Sequence, residues 1–276
     1  MKRKNSTVII IISLIIIGGI ITFLLYSFYI DEILNALNLV PELLILTTIV
    51  LIKIVLISIM GGFLLYRWYR QEQQYFSDIP FLFSNFFFIL IFGKLLDILL
   101  YMLYYEIDPL PHLILVKVRY VLIIINIIPV LFLSIQMLLI YLSIYERFKS
   151  LKTKQTNNKI QGIILSLIIS IAILLIILAP ELSSLLTIYP FIMISSFIMI
   201  IWMFLYANKS KRLSEINSLI VGIGFIFYLF TTVFRGIGIG FLDRNLSSFL
   251  SEIFEIIVFI IIFIGLNKKS KYYRSQ

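Results

Sequence analysis

A chain of 276 residues that is 61% hydrophobic and only 13% charged, with mean hydropathy +1.09, carries more apolar surface than one soluble core can bury. That composition excludes a soluble globular domain and predicts an all-α integral membrane protein. Cysteine is absent and His112 is the single histidine, which excludes disulfides, thiolate metal sites and histidine clusters; no cofactor is expected.

About 20 apolar residues cross a hydrocarbon core of about 30 Å as a helix. Eight segments reach that length, from Val8 to Ile30, Leu43 to Tyr66, Phe81 to Tyr104, Leu113 to Tyr145, Ile160 to Leu178, Leu185 to Tyr206, Ser218 to Ile239 and Leu246 to Leu266. The first follows Lys2, Arg3 and Lys4 and looks like the start of a signal peptide. No small-residue cleavage site comes after it, so it is expected to stay as a signal anchor. Residues 1–41 are then a cytoplasmic start, an anchor helix and an outer loop; residues 42–266 a seven-helix bundle; and residues 267–276 a basic cytoplasmic tail. The fourth segment is overlong, with Pro129 near its centre, and is expected to kink there and run on as far as Arg147. Aromatic residues mark many segment ends, among them Tyr26, Tyr29, Trp68, Tyr69, Tyr104, Tyr105, Trp202 and Tyr206, as anchoring at the membrane–water boundary requires. The loop SLKTKQTNNK is polar, and the GIG at 222–224 and GIGIG at 236–240 lack the G-K-[ST] of a phosphate loop, so they read as packing glycines.

Lysine and arginine in the short connections set the orientation. With both termini cytoplasmic, Arg67, Arg70, Arg147, Lys149, Lys152, Lys154, Lys159, Lys209, Lys211, Arg212, Lys268, Lys269, Lys271 and Arg274 join the N-terminal cluster on that side. Arg244 alone lies opposite, among Asp31, Glu32, Glu42, Glu106, Asp108, Glu181 and Asp243. The net charge of +9 is therefore topological: the lipid bilayer is the expected partner and nucleic acid is not.

Eight charges remain within the spans: Lys53, Lys94, Lys117, Arg119 and Arg235, with Asp97, Glu252 and Glu255. Each costs about 2.5–3.5 kcal/mol at a helix centre, so they should share an interior where they pair or meet water. At about 1.5 Å per residue, all fall at the middle of the bilayer or in its outer half. Lys94, Asp97, Tyr101 and Tyr104 share a helical face, as do Tyr228, Thr231, Thr232 and Arg235, and Ser248, Ser251, Glu252 and Glu255. Arg119 and Asn126 add a fourth. Lys117 lies about 160° from Arg119 and is free to snorkel outward. The spacing pairs Lys94 with Asp97, and Arg235 with Glu252 or Glu255. On that reading Lys94→Met strands a buried carboxylate and harms folding more than the double change with Asp97→Leu.

Catalysis lacks its parts. There is no H-E-x-x-H, no second membrane aspartate beside Asp97, no paired acidic motif for magnesium diphosphate, and no lysine in the last segment for a retinal Schiff base. No enzyme activity is expected. The stretch VKVRYVLIIINIIPVLFLSIQMLLIYL has a basic-aromatic pair, a central proline and a tyrosine near its end, and it follows YRWYRQEQQYF and an acidic outer loop. It resembles the corresponding helix of the seven-helix sensor region at the N-terminus of some histidine kinases. The resemblance spans Glu42 to Leu266; no output domain is expected in this chain, so the resemblance implies that a separate signalling protein carries the response. The expected function is a sensor or receptor-like protein of the cell membrane, binding a small or lipid-like anion in an outward-facing cavity. Lys94, Asp97, Tyr101, Arg119, Arg235, Glu252, Glu255 and Lys53 would line it. A transporter and a structural or assembly subunit are the alternatives.

Overall fold

The computed structural model describes residues 2–104, 107–213, 215–238 and 241–270, without the side chains of 2–11, 236–238 and 244. Expectations that rest on Tyr105, Glu106, Lys271 and Arg274, on the surroundings of Gly236, Gly238 and Gly240, or on the side chains of Lys2, Arg3, Lys4 and Arg244, lie outside that description.

The described residues form helices and no strand: α1 (Lys2–Phe28), α2 (Ile30–Leu39), α3 (Glu42–Tyr69), α4 (Ile79–Leu103), α5 (Pro109–Leu142), a short 3-10 helix (Glu146–Lys152), α6 (Lys154–Leu178), α7 (Leu182–Lys209), α8 (Ser218–Gly238) and α9 (Arg244–Asn267). Helices satisfy their own backbone donors and acceptors, which an apolar solvent demands. Seven of them, α3 to α9, are long and apolar enough to cross a membrane. The pair α1 and α2, bent by 66°, makes an eighth if it counts as one span. These are the helices of a multi-pass membrane protein.

The structure departs from the sequence expectation in three places. Residues 31–39, expected as loop, are helical in α2, with Asp31 and Glu32 in the first turn where the helix dipole favours them and Ile33 and Ala36 buried on one side. Helix α5 ends at Leu142 instead of Arg147, because the chain turns back to bury Leu151 against Ile135 and Leu139. Helix α6 begins at Lys154, so part of the polar SLKTKQTNNK loop is helical. Pro129 lies inside α5, which continues on both sides of it.

The chain divides into two compact units, Met1–Asn126 and Ile127–Gln276. In the first, α3 buries Leu43, Leu46, Val50, Lys53, Ile57, Met60 and Leu64, a three-four spacing that draws one stripe down the helix. Helix α4 runs antiparallel to α3. Ser84 Oγ donates to the Gly61 carbonyl across them at 2.9 Å, and a Cβ at Gly61 would stand 3.2 Å from that of Phe87. Helix α1 meets α4 at Gly18, where a Cβ would come within 2.5 Å of the Phe92 ring. In the second unit α8 and α9 are antiparallel partners, close because two glycines allow it: a Cβ on Gly224 would meet Ile262 at 2.5 Å, and one on Gly265 the Val221 backbone nitrogen at 2.8 Å. Asn217 N donates to the Gly265 carbonyl at 2.9 Å. Phe204 stacks on Phe225 between α7 and α8, and Gln161 Nε2 of α6 donates to the Phe132 carbonyl of α5 at 2.8 Å.

Candidate functional site

Lys94, Asp97 and Arg119 meet in one cluster and Arg235, Glu252 and Glu255 in another, one within each unit. In the first unit α4 places Lys94 and Asp97 one turn apart, and Lys94 Nζ donates to Asp97 Oδ2 at 3.0 Å. Helix α5 brings Arg119 to the same carboxylate, its Nε donating to Asp97 Oδ1. Asp97 therefore lies between two cations, and both Lys94 and Asp97 are buried. The Arg119 guanidinium also lies over the Tyr120 ring, 5.5 Å from its centre. Tyr101, one turn beyond Asp97, is half-buried on α4, and Lys53 is wholly buried in the stripe of α3.

In the second unit the order of charge is reversed. One terminal nitrogen of Arg235 donates to Glu252 Oε1 at 2.6 Å and lies 2.8 Å from Glu255 Oε1, so α8 is tied to α9 by one guanidinium and two carboxylates. Below this cluster on α8, Thr231 and Thr232 both donate to the Tyr228 carbonyl, and the Tyr228 ring packs against Phe197 and Phe259. Two further buried oxygens, Asn126 Oδ1 and Ser247 Oγ, make no hydrogen bond among the described residues.

The geometry changes one expectation. Asp97 is held by Arg119 as well as Lys94, so Lys94→Met leaves the carboxylate paired. The double change with Asp97→Leu instead deprives Arg119 of it. With Arg119 counted, the double variant is expected to be the more damaging of the two, the reverse of the order that the spacing along α4 suggests. Spacing cannot reveal Arg119 as the partner, because the register between α4 and α5 is not written in either helix alone. Tyr26, read from the sequence as an anchor at a segment end, instead donates its hydroxyl to the Leu95 carbonyl at 2.7 Å, between Lys94 and Asp97. Gly222 and Gly224 are packing glycines as expected, the first against Phe204 and Leu205 and the second against α9.

Chemically, the first cluster offers two positive hydrogen-bond donors to one carboxylate, a geometry suited to anions. Among the described residues no three of histidine, cysteine, aspartate and glutamate gather as metal ligands. Comparison with protein-family models, with curated proteins and with solved structures finds no match.

Proposed function

We propose that this protein is a multi-pass membrane sensor or receptor-like protein that binds a small or lipid-like anion at Lys94 and Arg119. Asp97 orients the two cations, Tyr101 forms a wall, and Lys53 adds positive charge within the same unit. One observation supports this reading above the others: two basic side chains converge on a single carboxylate inside apolar helices. A ligand carboxylate or phosphate has the chemistry to share or replace Asp97 there, with charge-assisted hydrogen bonds made in a medium that screens them little. The distribution of lysine and arginine supports a site in the half of the bilayer away from the cytoplasm.

The test is thermal unfolding of the purified protein in detergent, with and without a total membrane lipid extract and a panel of small carboxylates and phosphates. A ligand at 100 times its Kd stabilises the folded state by about 2.7 kcal/mol and raises the melting temperature. Lys94→Met keeps the Asp97–Arg119 pair, so it is expected to fold and to lose most of that rise. A rise in Lys94→Met equal to that of the wild type removes Lys94 from the site and overturns the reading. Single cysteines in this cysteine-free chain check the orientation: one at Ser183 is expected to react with an impermeant thiol reagent in intact cells, and one at Thr153 to be shielded.

A further inference from the structure

We propose that the connection between α5 and α6 is a docking surface for acidic phospholipid headgroups of the membrane these helices cross. The proposal is independent of the ligand site on α4 and α5, since it rests on different residues in the second unit. Both flanking helices are long and apolar enough to span, so the few residues between them are held at the membrane–water boundary.

One side chain fixes this turn. Leu151 is buried with Ile135 and Leu139, and Leu142 and Ile160 pack around them. With Leu151 turned inward, Arg147, Lys149, Lys152 and Lys154 all face out. The acid in their midst is Glu146, paired to Lys149 at 3.2 Å with side chains 91% and 65% exposed, a surface pair that leaves Lys149 available to other anions. Exposed Ile144, Tyr145 and Phe148 stand beside the basic residues. Tyr145 is positioned by its hydroxyl, 2.8 Å from that of Tyr141, and the Tyr141 ring contacts both Trp202 and Tyr206 of α7. An aromatic band therefore runs from α5 to α7 beside a basic turn. Aromatic rings seat at the headgroup level of a bilayer, and lysine and arginine there attract acidic lipid. A polyanion in solution would be met by the charges but gives no reason for the exposed apolar side chains, so the lipid surface is the occupant that fits both.

The experiment uses the full chain with Ser150→Cys, labelled with an environment-sensitive fluorophore and placed in nanodiscs of phosphatidylcholine or of an equal mixture with phosphatidylglycerol. The expected result is a blue shift of emission in the acidic discs, weakened by salt and abolished by Arg147→Gln, Lys149→Gln, Lys152→Gln and Lys154→Gln together. These four residues are exposed, so an unchanged melting temperature verifies that the variant is folded. Lipid co-purifying with it should be depleted in phosphatidylglycerol relative to wild type. Equal emission in both discs, or a shift that survives the four substitutions, overturns the proposal. A shift produced by a soluble acidic peptide or RNA fragment and not by phosphatidylglycerol also overturns it, and makes the turn a site for a macromolecule instead.

Discussion

The two ion clusters are opposites. Asp97 is one carboxylate between two cations, and Arg235 is one cation between two carboxylates. They also differ in what they join. Asp97 gathers a neighbour from its own helix and one from α5, whereas Arg235 reaches to α9 and ties a pair of helices already close at Gly224 and Gly265. The contrast teaches that in an apolar medium the central charge matters most. Losing an outer member leaves a pair; losing the centre leaves two like charges facing each other.

The largest expected effects follow from removing those centres. Asp97→Leu and Arg235→Leu should each cost about 3–5 kcal/mol, read as a fall in unfolding midpoint in detergent. Glu255→Gln should cost clearly less, because Arg235 keeps Glu252 at 2.6 Å. Asp97→Leu proving no more harmful than Lys94→Met would break the comparison.

A smaller effect separates the two helix pairs. Gly265→Ala sets a methyl 2.8 Å from the Val221 backbone nitrogen, which cannot move aside without shifting α8. Overpacking of that kind costs about 1–3 kcal/mol. Gly61→Ala meets Phe87 at the looser distance of 3.2 Å, and alanine gains about 1 kcal/mol in helix propensity over glycine, so the change should be close to neutral by the same unfolding measurement. Equal losses at both sites would show that α3 and α4 are packed as tightly as α8 and α9.

The smallest effect lies outside both clusters. The hydrogen bond that the Tyr145 hydroxyl shares with Tyr141 holds it above the ordinary tyrosine pKa of 10.0, and the nearby Tyr141 charge adds to it. A raised phenol pKa means the fold favours the neutral form, so this contribution is present below the ordinary value and is lost as pH rises through the raised one. Ultraviolet titration of the wild type minus Tyr145→Phe should show a late-ionising tyrosine, and the same difference made in a Tyr141→Phe background should return it toward 10.0. An unchanged titration in that background would separate the tyrosine pair from the aromatic band.

How much of this was legible in the sequence depends on how local the cause is. Helices α3 to α9 announce themselves as apolar runs, because every span must meet the same length and hydropathy. Helix α2 does not: ten residues with two buried positions look like loop until neighbouring helices are there to bury Ile33 and Ala36. The end of α5 was misplaced for the same reason, since Leu151 stops it from the far side of a turn. The pairing of Arg235 with Glu252 was readable because only 17 residues and a short connection separate them. Arg119 on Asp97 and Tyr26 on Leu95 were not, since each depends on which helices become neighbours.

That last contact sets an order of events in synthesis. Tyr26 and the carbonyl it reaches are 69 residues apart, so at about 5–20 residues per second the ribosome needs roughly 3–14 s after making one to make the other. For that interval Gly18 has no Phe92 to lie against and the Tyr26 hydroxyl must find a temporary acceptor. Helix α1 therefore lacks both contacts until α4 has been made.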